Sequence, residues 1–455
     1  MSRAFLATLL VAANLSASVP VSSAAGPPFP DMQWSWYGYQ DSVAYLQAKG
    51  SIEGYPDGNF HPKDIVNRAE FLKLVFRSRG NPEPVSGECF ADVPEDAWFA
   101  PFVCAAKRRG IVNGYRVGVR SIFRPEQPIL FAEAVKMVLL AYGNDIKEGS
   151  GSQWFAPYVE ELDRLNVLSS SSYVPWQPIS RERAADLIAR FVKHSDERAI
   201  GNLSPGCGKS QRSPATVLPL NGVDRTYLFT PPRDNSPNTA SPLIVAFHGR
   251  TNSNERVRGY FGLDRAADTY AIAYPSGIPN GNGSYSWSNP GDKASQLRDI
   301  AFFDAIVKEV SESRCIDMDR IYVVGHSLGA WMANSVACVR GGVVRASATV
   351  GGSTTMGNCN GPSAALILNN PKDTLSPHKD SERMRDVRLQ SNVCGGAKSD
   401  SEPREFSCEE YAGCGMNPVL FCPHTIDTER DGTYYPHVWP RSTGQEIVRF
   451  FDGLR

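Results

Sequence analysis

Ile321-Tyr322-Val323-Val324-Gly325-His326-Ser327-Leu328-Gly329-Ala330-Trp331 is the stretch on which the fold turns. Four apolar residues run into Gly-His-Ser-Leu-Gly. Small and apolar residues then continue through Met332, Ala333, Val336 and Ala337. That order predicts a buried strand, a sharp turn and a helix, with Ser327 exposed at the apex. Gly325 and Gly329 leave room for strand and helix to approach closely. The helix start offers backbone N–H groups, Leu328 first, and a positive dipole end to a developing oxyanion.

Around this stretch, from about Ser204, short apolar runs alternate with helical patterns. The runs are Leu243 to Phe247, Tyr270 to Tyr274, Ala346 to Val350, Ala364 to Leu368 and Val419 to Phe421. Between Tyr274 and Ile321, residues Ile300, Phe303, Ile306, Val307 and Val310 share one helical face. The expectation for 204–455 is a mostly parallel sheet covered on both sides, an α/β-hydrolase pattern with functional groups at the carboxyl ends of strands. His248-Gly249-Arg250 follows the first run and offers the Arg250 N–H as a second oxyanion donor. A serine needs an imidazole to take its proton and a carboxylate to fix the tautomer. Asp373 follows the run Ala364 to Leu368, with Asp380 as its neighbour and rival. Of the three later histidines, His378, His424 and His437, the last lies in an aromatic loop beyond the final strand and suits the base best. The candidate triad is Ser327, Asp373 and His437. It requires no metal or cofactor.

The first half has a different grammar. One pattern recurs three times over Asp31 to His194, at a period of about 55 residues, which reads as stacked units sharing a core. Each unit has an aromatic-rich leading helix, a glycine turn and a second helix. Unit one contains Trp34-Ser35-Trp36-Tyr37, the turn Gly54-Tyr55-Pro56-Asp57-Gly58-Asn59-Phe60 and the helix start Asn67-Arg68-Ala69-Glu70, whose spacing is that of a capping box. Unit two contains Trp98-Phe99, Gly114-Tyr115 and Phe131-Ala132-Glu133. Unit three contains Trp154-Phe155, Leu165-Asn166-Val167-Leu168 and Arg181-Glu182-Arg183. The expected arrangement is an all-α set of three units at 26–86, 87–145 and 146–199. A Gly/Ser/Pro-rich linker at 200–212 follows.

Bulk properties narrow the function. The chain has 455 residues, a net charge of −1 and 42% hydrophobic residues, so two or more globular domains are expected and no basic field attracts nucleic acid. Arg3, the apolar run Ala4 to Ala13 and Ser23-Ala24-Ala25 form a signal-peptide pattern over residues 1–25. No later run reaches the about 20 apolar residues of a membrane span. Ten cysteines in an exported chain read as disulfides. Cys89 and Cys104 are the two in the first half and form the obvious pair; spacing does not pair the other eight.

The repeat resembles the S-layer homology (SLH) family, whose units carry a Gly-Tyr-Pro-Asp-Gly turn and a Thr-Arg-Ala-Glu helix start. The resemblance implies binding of cell-wall polysaccharide, with Arg68 and Arg181 in the binding grooves. Unit two has Phe131 in place of that arginine, and unit three has Arg183 in place of the glutamate. The second half resembles feruloyl esterases and poly(3-hydroxybutyrate) depolymerase-like esterases. The matching residues are Gly206-Cys207-Gly208-Lys209, His248-Gly249, Tyr274-Pro275-Ser276-Gly277, Trp287, Asp299, the serine turn and His437-Val438-Trp439-Pro440. This resemblance implies a secreted, surface-anchored serine esterase whose substrate is a polymeric or aryl ester. A polyester depolymerase, an acetyl xylan esterase and an inactive wall-binding protein are the alternatives. Tyr260, Phe261, Tyr285 and Trp287 are candidates for either an acyl pocket or the core.

Overall fold

The computed structural model describes residues 27–82, 88–144, 146–165, 167, 174–197, 203–280, 283–356 and 359–454. The signal-peptide segment 1–25, residues 198–199 at the end of the expected third unit and residues 200–202 of the expected linker lie outside them.

In the first half, α1 (Tyr37–Ala48), α2 (Arg68–Arg79), α3 (Ala100–Arg108), β1 (Tyr115–Val117), β2 (Arg120–Ile122), α4 (Phe131–Ala141), α5 (Ala156–Arg164) and α6 (Arg181–Glu197) follow in order. Asn67 caps α2: its side chain accepts from the Glu70 N–H at 2.8 Å, and Glu70 accepts from the Asn67 N–H at 3.0 Å. The repeat is visible in its details. Asp31 accepts from the N–H groups of Phe60 and His61, as Asp92 does from those of Phe123 and Arg124. Each second helix packs on the leading helix of the next unit: α2 on α3, α4 on α5 and α6 on α1. One apolar core runs through all three units, from Phe29 and Val43 to Phe191 and Val192.

The expectation of purely α units needs correction. β1 and β2 form an antiparallel ribbon in unit two, pairing Tyr115 with Ile122. Bridges Ile65–Ser180, Asn67–Pro128 and Leu130–Pro178 tie the segments before the second helices to one another. The cause is backbone satisfaction: these helix-start segments meet at the centre of the repeat, where their peptide groups find partners in each other.

The second half is built on β3 (Val217–Leu220), β4 (Val223–Thr230), β5 (Ser241–Phe247), α7 (Asn254–Phe261), α8 (Leu263–Ala266), β6 (Ala271–Pro275), β7 (Ile278–Pro279), β8 (Tyr285–Ser286), α9 (Lys293–Ser313), β9 (Ile316–His326), α10 (Leu328–Val339), β10 (Val344–Val350), β11 (Ala364–Asn369), α11 (His378–Ser391), β12 (Lys398–Asp400), β13 (Glu409–Tyr411), β14 (Val419–Pro423) and α12 (Thr443–Asp452). Ten strands form one sheet in the order β12-β13-β14-β11-β10-β9-β5-β6-β4-β3. From β6 to β14 the neighbours are parallel; the outer strands are antiparallel. This is the α/β-hydrolase architecture. The central strands are buried on both faces, as parallel strands under helices must be. Leu243, Val245, Phe247, Ile321 and Val323 face α9 and α10, whereas Ile244, Ala246, Tyr322 and Val324 face α7 and α12.

Five disulfides frame the chain: Cys89–Cys104, Cys207–Cys315, Cys338–Cys359, Cys394–Cys414 and Cys408–Cys422. Cys207–Cys315 closes a separation of 108 residues, for which chain entropy favours the folded state by about 4.7 kcal/mol. It ties the segment ahead of β3 to the start of β9.

Candidate active site

Ser327 stands between β9 and α10 with φ 58° and ψ −125°. A side chain held at such a backbone costs of order 1–3 kcal/mol, so the surroundings must enforce it. They do so by contact. A Cβ on Gly325 would lie 2.1 Å from the Gly329 carbonyl oxygen, and one on Gly329 would lie 2.2 Å from that of Phe247. The Ser327 N–H donates to Val350 O at 3.0 Å, and its carbonyl accepts from Ala330 and Trp331. Strand, turn and helix therefore close on one another with no space for larger residues.

The turn after β5 lies against this elbow. A Cβ on Gly249 would sit 3.4 Å from the Cβ of Ser327. His248 is fully buried and fixes the turn from three sides. Its Nε2 accepts from the Gly277 N–H at 2.9 Å, so its Nδ1 carries the proton and donates to Gly249 O at 2.7 Å. Its carbonyl accepts from Trp287 Nε1 at 2.8 Å. Burial holds the imidazole neutral, lowering its pKa to about 4. The carbonyls of Phe247 and His248 thereby lie against Gly329 in the first turn of α10, where Leu328 is the first residue and its N–H has no place in the helix ladder. The Arg250 side chain turns away to Asn289 Oδ1 at 2.9 Å.

Asp373 and His437 meet although they are 64 residues apart. His437 Nδ1 donates to Asp373 Oδ2 at 2.6 Å, and both side chains are buried. The other oxygen, Oδ1, accepts from the Leu375 and Ser376 N–H groups, each at 2.9 Å. Burial raises the Asp373 pKa, but these hydrogen bonds, that of His437 foremost, outweigh it and hold the carboxyl below its ordinary value. With Nδ1 committed, Nε2 of His437 is the basic atom. Ser327 Oγ makes no hydrogen bond to His437 among the described residues. His326, the residue before Ser327, stacks its ring on that of His437 with the centroids 4.9 Å apart.

His326 is a site residue that sequence reasoning quoted without assigning it a role. Its Nε2 donates to the carbonyl of His437 at 3.1 Å, so Nδ1 accepts from the Tyr260 hydroxyl at 3.1 Å. Burial, reinforced by neighbouring His437, lowers its pKa to about 3. The alternatives lie elsewhere. Asp380 is in the first turn of α11, 3.6 Å from Arg383. His378 bonds Asn369 Oδ1 at 2.7 Å. His424 packs near Phe406 and is held neutral by burial, its pKa lowered to about 4.

A cleft of about 480 Å³ opens beside His437 and His326, lined also by Asn252, Arg256, Tyr260 and Tyr435. Its rim includes Glu429, Arg430 and Asp431, on a loop closed by the Thr428–Tyr434 bridge. Of the four aromatics expected as pocket or core, Tyr260 lines the cleft. Phe261 is buried and stacked on Trp439 at 4.0 Å, and Trp287 is buried edge-on to Phe247. Tyr285 is half-buried and bridges Asn252. No group of three or more His, Cys, Asp or Glu suited to a metal ion occurs among the described residues, and none of their helices is long and apolar enough to cross a membrane.

In the first half, Arg68 is buried over the rings of Phe123 (4.7 Å) and Tyr115 (5.2 Å) and bonds Glu133 at 2.6 Å. Burial and the hydrogen bond to Glu133 push the Tyr115 phenol up to about 12. These residues line a groove of about 370 Å³ with Lys136 and Trp154. Arg181 lies over Tyr55 (4.7 Å) and Phe60 (4.8 Å) in a second groove of about 250 Å³, with Lys73 and Trp98. Each groove is shared by all three units, which is why neither can be seen in a single repeat.

A probable feruloyl esterase C of Aspergillus flavus is 30% identical over 233 residues, which make up 49% of this chain and 82% of that protein. The chain belongs to the feruloyl esterase family. The S-layer homology domain family matches residues 28–72 and 90–135 of this esterase, within its first two units. An S-layer protein of Bacillus thuringiensis subsp. finitimus is 27% identical over 198 residues, 41% of the esterase and 24% of that protein. Among solved structures, an acetyl xylan esterase from Aspergillus awamori superposes with a TM-score of 0.41 at 12% identity, covering 53% of the esterase and 98% of that chain. The protein is thus a carboxylic ester hydrolase fused to S-layer homology domains, an association that sets it at the cell surface.

Proposed function

We propose that the chain is an exported serine esterase that cleaves feruloyl-type esters of plant polysaccharide while its SLH units hold it on the cell wall. The observation that supports this reading is the 2.6 Å bond between Asp373 and His437, whose ring stacks on His326, the residue before the strained Ser327. In the proposed mechanism the ester carbonyl lies over Ser327. His437 Nε2 takes the Oγ proton as the carbonyl is attacked, and Asp373 stabilises the imidazolium. The N–H groups of Leu328 and Arg250 receive the oxyanion, an interaction worth about 2.7–4 kcal/mol per donor. His437 returns the proton to the departing alcohol, and water then releases the acid by the same route.

The division of labour follows the chain. Residues 26–199 serve as the anchor, with Arg68 and Arg181 facing wall polysaccharide, and 204–455 carry the chemistry. Arginine stacked on aromatic rings suits a sugar polymer, offering several donors over apolar faces. The test is an ester panel of methyl ferulate, acetylated xylan and hydroxybutyrate oligomers, run on the wild type and on Ser327→Ala. Ferulate turnover that vanishes in Ser327→Ala supports the reading. Preference for acetyl or hydroxybutyrate esters makes the chain an acetyl esterase or polyester depolymerase, and no turnover at all makes it an inactive surface protein.

A further inference from the structure

The three-unit repeat has three seams, and they are not alike. At the seam of α2 and α3, Lys73 lies 5.4 Å from the ring of Trp98, beside Glu70, with Arg181 at the groove. At the seam of α4 and α5, Lys136 lies 5.4 Å from Trp154, beside Glu133, with Arg68 at the groove. At the seam of α6 and α1 every charged member is exchanged. Phe131 stands for the arginine, Arg183 for the glutamate and Asp186 for the lysine. The corresponding tryptophan, Trp36, is 4% exposed, against 51% for Trp98.

What covers this seam is the hydrolase. Trp36 lies 6.2 Å from Phe303 of α9, and both Trp36 and Tyr39 belong to the apolar cluster of the sheet rather than to that of the repeat. Arg340, just beyond α10, bonds Asp304 through Nε at 2.9 Å and reaches across to the Trp34 carbonyl at 2.8 Å. Arg183 lies against Gly361: a Cβ there would fall 2.7 Å from the guanidinium. Ser35 and Lys63 both bond Glu182, which fixes the strand of chain that carries Trp36. A buried pair such as Arg340–Asp304 gains from each further donor that is met, and here one is met from the other half of the chain.

We propose that the third groove of the repeat has become the seat of the hydrolase, so that the two halves keep one fixed arrangement and two grooves remain open. The departure at Arg183, which lies against Gly361, then has a cause: the seam now binds protein. The seating is independent of the ester chemistry and of what the open grooves bind, so it can stand or fall by itself.

The test uses the full chain in small-angle scattering and amide exchange. The wild type is expected to scatter as one compact particle, with protected amides at 300–306 and 359–363. The double variant Trp36→Ala/Arg183→Glu is expected to raise the radius of gyration and to lower protection in those segments about tenfold, with ester turnover unchanged. Trp98→Ala, the matching change at an open groove, should leave both segments as they are. Wild-type scattering that requires two independently moving bodies overturns the proposal, as does a double variant with unaltered radius and protection. If the double variant fails to fold, the wild-type curve decides.

Discussion

Asp373 holds a charge that burial opposes, and it does so through three hydrogen bonds. Losing that charge costs the tautomer of His437 more than it costs the fold. Asp373→Asn is therefore expected to lower kcat by about 10⁴-fold with little change in melting temperature, whereas Asp380→Asn stays near wild type; steady-state kinetics on one ester checks both. Position after a strand favours Asp373 over Asp380 in the sequence, but the contact that decides between them is made 64 residues away and cannot be read there. The contacts of His326 with His437 and Tyr260 were hidden for the same reason. The buried histidines set a pH limit. In the unfolded chain His248 and His326 protonate near 6.5, but in the fold they resist protonation down to about 4 and about 3. Between those values the unfolded state binds more protons, so stability falls as pH falls. Urea midpoints are expected to drop steadily from pH 6.5 toward pH 4, and His248→Gln should flatten that slope. A midpoint that does not move over this window would contradict the buried neutral assignment.

The elbow shows what an element can and cannot reveal in sequence. β9, the serine turn and α10 were legible because a β-branched run, two glycines and a small-residue helix coincide. The other parallel strands were legible as apolar runs, and α9 as a 3.6-residue periodicity whose Ile300, Phe303, Ile306, Val307 and Val310 are all buried. β12 and β13 are three residues each and polar, and β3 and β4 alternate weakly, so neither pair rises above loop composition. The ribbon of β1 and β2 exists because unit two pairs its own turn, a contact that the helical pattern of the repeat conceals. Gly329 is a sharp constraint among these elements, since a Cβ there would lie 2.2 Å from the carbonyl oxygen of Phe247 and 2.4 Å from that of His248. Gly329→Ala forces α10 away from β5 and is expected to cost about 1–3 kcal/mol or more, with loss of the serine elbow and displacement of the turn after β5. Thermal unfolding and ester turnover should fall together; a stable, fully active variant would show that the packing is looser than these contacts require.

For the whole molecule, the two halves answer to different forces. The hydrolase is a sheet buried between helices and stapled by four of the five disulfides. The repeat shares one core among three units and places its grooves where units meet. The hydrolase was readable as a class from its periodicities, and the first half as a repeat but not as one containing strands; how they meet was not readable, because Trp36, Arg183 and Arg340 are far apart in the chain. If the grooves are the anchor, Arg68→Ala and Arg181→Ala should each weaken retention on purified cell walls, and the pair should abolish it without touching turnover of a soluble ester. Retention equal to wild type in a pull-down would refute that assignment. The claim on which the catalytic account depends is that Ser327 is the nucleophile. Intact-mass analysis after exposure to a fluorophosphonate tests it most directly. One adduct located on Ser327, absent from Ser327→Ala and slow to form in His437→Ala, is the predicted result; a chain that stays unmodified at Ser327 would contradict it.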